Sequence, residues 1–374
     1  MITDDAIKHH FPSLENRIYL NSAAEGIPPE SVISALAQYA EDKLLGMDGR
    51  KLHELQWESA QDQASKILGF KKEEVSFCSC SSEAYNLASL ALNFQEGDEV
   101  IINDLDFPAG ATPWLQPTCP AEVKVWYSRE GVLRIEDLVP LLNSKTRLVT
   151  TSLVSFFNGF KIDLKSLVET VHKNSDSLIA LDVTQALGRI PLDLTGIDLV
   201  ISSTHKWILA SHGGGIVGIP SSRAEEFTTH AGGWFNSENA FDSDRFTKAT
   251  SKPGAASFSV GMPNYPAIYA IKAGLEFVQF FGIQNIDEYC EPMMNYFLEE
   301  ISKLNIDLLA PYDPDHRAGI IAFRHPEADR IYQALHKENI HIMSHAGRLR
   351  IAIHAYNRLS DIERCLEILH EHIT

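Results

Sequence analysis

The chain has 374 residues and a formal net charge of −18, with 50 acidic residues against 32 Lys and Arg. That sign argues against a polyanion such as nucleic acid as a partner. No apolar run reaches the roughly 18 residues a membrane helix needs, and the acidic start MITDDAIKHHF lacks an apolar signal core, so no membrane attachment and a cytoplasmic location are expected.

In chain order, residues 1–16 read as a short helix and lead-in. Ile18–Leu20 reads as a brief strand running into Asn21–Gly26. Pro28 and Pro29 open a helix to about Leu45, because proline suits a first helical turn. Leu52, Leu55, Ala60, Ala64, Ile67 and Leu68 have the spacing of an amphipathic helix. Val75–Cys78 is a strand, and Cys80-Ser81-Ser82-Glu83 opens a helix ending at Leu92. A helix N-terminus placed just after a strand offers free amides and a positive dipole end to a phosphate. Glu99–Asn103 is a strand followed by Asp104–Pro108. Val123–Tyr127 and Arg147–Val154 are further strands, then Ser155–Gly159 leads to a helix from Asp163.

The centre of the pattern is residues 177–219. One apolar run, Leu178–Leu181, ends in Asp182; another, Leu199–Ser202, ends in Ser203-Thr204-His205-Lys206; a third, Ile216–Ile219, follows Gly213-Gly214-Gly215. Short apolar runs bounded by turn residues read as buried strands. A carboxylate and an amine at neighbouring strand ends are costly to bury unpaired. A pyridine cofactor can use both, the lysine as a Schiff base with its aldehyde and the aspartate as partner to its ring nitrogen. Gln185 could then face the ring hydroxyl, Ser203 and His205 could donate to a phosphate, and the glycines would keep side chains away. Strands alternating with helices predict an α/β domain with a mostly parallel sheet.

Arg223–Pro253 is polar and weakly periodic, a loop-rich crossing whose Trp234 and Phe235 hint at an apolar pocket wall. Helices are expected over 263–281 and 286–304, a strand over 319–323 and a helix over 327–338. Residues 340–343 and 348–353 read as an antiparallel pair, and 360–372 as a last helix with Ser360 as N-cap. Arg350 has the planar fork that suits a carboxylate, and Arg348 shares its strand face. His341 and His345 sit four apart on strand and turn with no third ligand, so no metal site is expected. Five cysteines are too few, and odd in number, for a disulfide framework.

The D-x-x-Q and S-x-H-K motifs, Asp182–Gln185 and Ser203–Lys206, resemble those of the class V aminotransferase family. These pyridoxal-phosphate enzymes include cysteine desulfurases, isopenicillin N epimerase-like proteins and C–S lyases. The resemblance implies the PLP-dependent transferase fold type I. It implies a large cofactor domain over 17–253 and a smaller α+β domain from 1–16 and 254–374. It makes Lys206 the catalytic Schiff-base lysine and Asp182 the ring-nitrogen partner, with Gln185 near the ring. Phe107 would stack on the ring, and Ser81, Ser82, Ser203 and His205 would hold the phosphate of pyridoxal 5'-phosphate. Arg350, in a stretch like the family's R-x-S-x-x-x-Y-N, would bind the α-carboxylate, and Ala24 would lie over the substrate. Phe258–Asn264 resembles a segment reaching across a homodimer.

Departures are Cys80 for glycine, Phe156 where desulfurases have Asn, Ser259 for Glu, Met262 for Thr and Ala352 for Ser. Ser155 or Asn158 is a candidate to replace the missing contact. Residues 339–350 lack the mobile cysteine of desulfurases, and Cys365 lies on the last helix. The expected activity is transamination of an amino-acid substrate. Elimination at a C–S bond and epimerisation are the alternatives, and a non-catalytic cofactor-binding relative is the alternative of another class.

Overall fold

The computed structural model describes residues 2–311 and 313–373. Its largest element is a seven-stranded sheet. The spatial order is Val75–Cys78, Gly215–Gly218, Leu199–Ser203, Leu178–Asp182, Thr146–Ser152, Glu99–Asn103 and Glu122–Trp126. Gly215–Gly218 is antiparallel to both its neighbours, and the pairings from Leu199–Ser203 onward are parallel.

The apolar runs are continuous because both faces are covered. Ile179 and Leu181 enter one core with the helices Glu30–Leu44, Arg50–Leu68 and Tyr265–Phe281, while Leu178 and Ala180 enter another with Ser81–Leu92. This period-two split follows from strand geometry. Burying each Val, Leu or Ile in this way stabilises by roughly 1.5–3 kcal/mol.

A third core joins the start of the chain to its end. Ile7, Phe11, Leu14 and Leu20 pack with residues of the helices Ile283–Ile301, Ala328–Lys337 and Leu359–His372. These cover a four-stranded antiparallel sheet ordered Met343–His345, Arg348–Ala352, Ile320–Arg324, Asp307–Leu308. Among the described residues no helix is long and apolar enough to cross a membrane.

Three local expectations change. Met343–His345, not 340–343, pairs with Arg348–Ala352; Ile340–His341 instead runs parallel to Ile18–Tyr19. The last helix starts at Leu359 after Arg358, which leaves Ser360 inside its first turn. The helix expected from 286 begins at Ile283, directly after Gly282, and carries Pro292 in its interior. Helix starts at 163 and 264 follow the sequence chemistry: Asp163 accepts from Ser166 N and Asn264 from Ala267 N.

Candidate active site

Six strands of the large sheet, all but Gly215–Gly218, have their carboxyl ends at one edge, where loops leave room for a cavity of about 730 Å³. Crevices at such carboxyl ends are where open α/β sheets take ligands. Of the residues singled out by the sequence, ten line this cavity: Ala24, Ser81, Ser82, Phe107, Asp182, Gln185, Ser203, His205, Lys206 and Arg350.

Asp182 is the last residue of its strand and 7% exposed. Its Oδ1 accepts from Thr184 N at 2.7 Å, and Thr184 Oγ1 accepts from Ser203 N at 2.9 Å, so one threonine ties the two central strand ends together. Burial raises the Asp182 carboxyl pKa, and the Lys206 amine opposes that. Burial pushes the Lys206 amine down to about 8, with Asp182 raising it and Arg350 lowering it. A second buried carboxyl, Asp106, accepts from Ser152 N at 2.8 Å and Asn103 Nδ2 at 2.9 Å. Burial, reinforced by the charge of Asp182, pushes it up to about 7.

At one end of the cavity Ser203 Oγ donates to Ser81 Oγ at 2.9 Å. Ser81 starts the helix Ser81–Leu92, whose N-cap Cys80 makes no side-chain cap bond, leaving first-turn amides for an anion. His205 stacks on His212, ring centroids 4.5 Å apart, and His212 Nε2 lies 2.9 Å from Glu25 Oε1. The three side chains offer donor atoms within 4.8 Å of one another, a group the sequence pattern did not reveal. Burial and then the Lys206 charge push the His205 pKa down to about 4, so its imidazole is neutral at pH 7.

Above the amine, the Phe107 ring centroid is 5.4 Å from Lys206 Nζ, and Phe156 meets Phe107 edge-on at 5.1 Å. Gln185 Nε2 donates to Ala23 O at 3.0 Å and its Oε1 accepts from Trp207 Nε1 at 2.6 Å, leaving one N–H of the amide. The Asn21–Gly26 segment lies directly over the lysine: Gly26 N donates to His205 O at 2.8 Å, and a Cβ on Gly26 would sit 2.0 Å from Lys206 O. Only glycine permits that approach.

At the opposite end Arg350 Nη1 donates to Phe156 O at 2.8 Å, while its buried Nε has no partner. Arg348 Nη1 donates to Phe157 O. Among the described residues neither guanidinium has a carboxylate within ion-pair distance. Burial, then the Arg348 charge, push the Arg350 pKa down to about 10.

Other expectations are corrected. Ser155 Oγ donates to Leu105 O, and Asn158 bonds Gly131 O and Leu309 O, so both hold loops together and lie outside the cavity lining. Trp234 and Phe235 are not in the lining either; Phe235 packs edge-on against Trp57. The triple glycine serves packing: a Cβ at Gly215 would meet Cys80 backbone at 2.9 Å, and one at Gly213 would meet Asn264 Nδ2 at 2.3 Å. Sequence reasoning missed Thr184, which sits inside the D-x-x-Q motif, and Asp106, whose burial has no local signal.

A family model described as aminotransferase class-V matches residues 18–365. An uncharacterized aminotransferase, YcbU of Bacillus subtilis (strain 168), is 24% identical over 359 residues, covering 96% of this chain and 95% of that one. A cysteine desulfurase of Escherichia coli O6:K15:H31 is 28% identical over 343 residues, covering 85% and 82%. Among solved structures, the apo cysteine desulfurase of Thermococcus onnurineus NA1 superposes with TM-score 0.89 at 19% identity, covering 100% of this chain and 98% of that one. The C-DES structure with glycine covalently linked to its PLP cofactor gives TM-score 0.87 at 20% identity, covering 97% and 98%.

Proposed function

Because the chain belongs to the class V aminotransferase family, whose enzymes use pyridoxal phosphate, we propose that it transfers the amino group of an amino-acid substrate to a keto acid. The observation that carries this reading is one cavity holding the Lys206 amine, the buried Asp182 carboxylate and the unpaired Arg350 guanidinium.

The residues present fit the cofactor. Ser81, Ser82, Ser203 and the neutral His205 would hold its phosphate at the open helix start. Asp182 would meet the ring nitrogen, the free N–H of Gln185 the ring hydroxyl, and Phe107 one face of the ring. When bound, the cofactor supplies an electron sink for negative charge at Cα.

The chain's own groups do the rest. Lys206 would hold the cofactor and would move the Cα proton of the substrate; an amine with pKa about 8 is suited to give and take that proton near neutral pH. Arg350 takes the α-carboxylate with two parallel hydrogen bonds, which orients the Cα–H bond. Phe156, edge-on to Phe107, would steady that ring over the cofactor.

Elimination at a C–S bond is a second reading, favoured by the likeness to C-DES, a cystine C–S lyase solved with cysteine persulfide (TM-score 0.86). Persulfide-forming desulfuration is disfavoured, since residues 339–350 beside Arg350 hold no cysteine, and the cysteine that lines the cavity, Cys80, caps the helix at its phosphate end. Homodimerisation is part of the proposal. Leu44, Met47 and Met262 are exposed, and Met47, Arg50 and Met262 line one surface depression.

The test is a panel of L-amino acids with and without pyruvate or 2-oxoglutarate. Transamination gives keto acid beyond one equivalent per active site only when an acceptor is present. Multiple turnovers of keto acid with ammonia release and no acceptor overturn it in favour of elimination. No product from any amino acid, with no spectral change, favours a binding protein.

A further inference from the structure

Elsewhere this chain neutralises its buried guanidinium groups. Arg189 Nη1 lies 2.7 Å from Asp287, and Arg317 Nη2 lies 2.6 Å from Glu291. At the cavity it does not. Arg348 and Arg350 are 6% and 4% exposed, lie two residues apart on one strand face, and both line the cavity. Neither has an acidic partner among the described residues, in a chain with 50 acidic residues to draw on. Across the sheet the register sets Arg324 opposite Arg348, adding a third positive charge whose Asp307 partner is 3.7 Å away and exposed.

Like charges facing each other on neighbouring strands are destabilising, and so is a buried charge without a partner. The arrangement becomes favourable when anions arrive. The strand runs from Arg348, opposite His345, through Arg350 to Ala352, whose N–H donates to Leu20 O beside the segment over Lys206. The positive groups therefore run outward from the reacting end in the order Lys206, Arg350, Arg348. Arg350 and Arg348 donate to the neighbouring carbonyls of Phe156 and Phe157, each through one Nη, so each fork keeps N–H groups for an anion of its own. The Arg348 guanidinium stacks 4.2 Å over the Phe157 ring, and Nη1 is held by Phe157 O. Stacking occupies its flat face and fixes its plane, leaving N–H groups at the edge for a ligand.

We propose that the substrate is an amino acid with a second anionic group on its side chain, a carboxylate, sulfinate or sulfonate a few bonds beyond Cα, and that Arg348 receives that group. The proposal rests on the reading that Arg350 takes the α-carboxylate. It deepens that reading by naming the substrate class and makes Arg348 a specificity-determining residue. His345 and Ser344, on the adjoining strand, line the same end of the cavity.

The test needs no turnover. Calorimetric titration of the cofactor-loaded protein with glutarate and with valerate, five-carbon acids with two and one carboxylates, reads the second anion site directly. Glutarate is expected to bind at least tenfold more tightly than valerate. Arg348→Met is expected to bring the ratio to within about twofold, and Arg348→Lys to leave it intermediate. Equal affinities in the unaltered protein, no measurable glutarate binding, or a ratio that survives Arg348→Met would each overturn the proposal. Valerate binding that persists undiminished in Arg350→Met would instead refute the α-carboxylate assignment, a different result from loss of the glutarate preference.

Discussion

Replacing Arg350 by Met should move stability and binding in opposite directions. Burial with no counter-ion lowers the guanidinium pKa from 12.5 to about 10. At about 1.4 kcal/mol per pH unit this depression is a folded-state cost of roughly 3 kcal/mol. The sign follows from linkage. Below the folded pKa the group is charged in both folded and unfolded chains, so the cost is fully present at neutral pH and is relieved only as pH rises from about 10 toward 12.5. Arg350→Met removes the charge and loses one hydrogen bond, to Phe156 O, worth about 1 kcal/mol. The cofactor-free protein should therefore gain about 2 kcal/mol, a rise of about 4 °C in melting temperature at roughly 2 °C per kcal/mol. Affinity for an amino acid should fall by roughly a hundredfold or more, since deleting one side of a buried ion pair costs about 3–5 kcal/mol. Thermal melts of cofactor-free protein beside spectral titrations of loaded protein measure both. A melting temperature lowered by several degrees, or an unchanged affinity, would show that Arg350 is a structural group and refute the assignment.

Reconstitution should report the Lys206 amine. The rate of pyridoxal phosphate uptake by cofactor-free protein should rise about tenfold per pH unit and level off near pH 8, since the neutral amine is the nucleophile; an inflection near 10.5 would contradict the burial argument. Asp182→Asn should slow turnover by about tenfold to a hundredfold, the loss of a charge-assisted hydrogen bond of about 1.5–3 kcal/mol. It should also shift that inflection below pH 8, because Asp182, ahead of Glu25, raises the amine pKa; no shift would mean the two groups do not interact. Lys206→Ala should abolish turnover without added amine, and full activity in that variant would rule out its role. Gly26→Ala should lower both melting temperature and turnover, because its Cβ would sit 2.0 Å from Lys206 O; wild-type behaviour in both would show that the covering segment moves freely.

The central strands were legible because Leu178–Leu181 and Leu199–Ser202 are apolar without alternation, which only a doubly covered strand requires. Asp182 and Lys206 stood out as the polar residues ending those runs. Phe107 and Arg350 needed the family resemblance, since an aromatic after a strand or an arginine on one has several uses. Other features have no local signature. The pairing of Ile18–Tyr19 with Ile340–His341 joins strands over 300 residues apart, beyond the reach of any turn rule. The bonds of Asn158 to Gly131 and Leu309 arise from loop packing, so a polar residue beside the expected site turned out to hold distant loops instead. That, among the described residues, neither Arg348 nor Arg350 pairs with an acid is a property of their neighbours in space, invisible in a chain whose overall charge is strongly negative.

The cover over the lysine also dictates an order of assembly during synthesis. Leu20 O accepts from Ala352 N, Tyr19 O from Asn357 Nδ2, and Ser22 meets Tyr356 more than 300 residues downstream. Residues 18–22 can therefore dock only after residues 339–357 have been made. Until then the nascent chain has an open cleft and an untethered 18–22 segment, and a chain stopped before Ile340 would leave that segment with no strand to join.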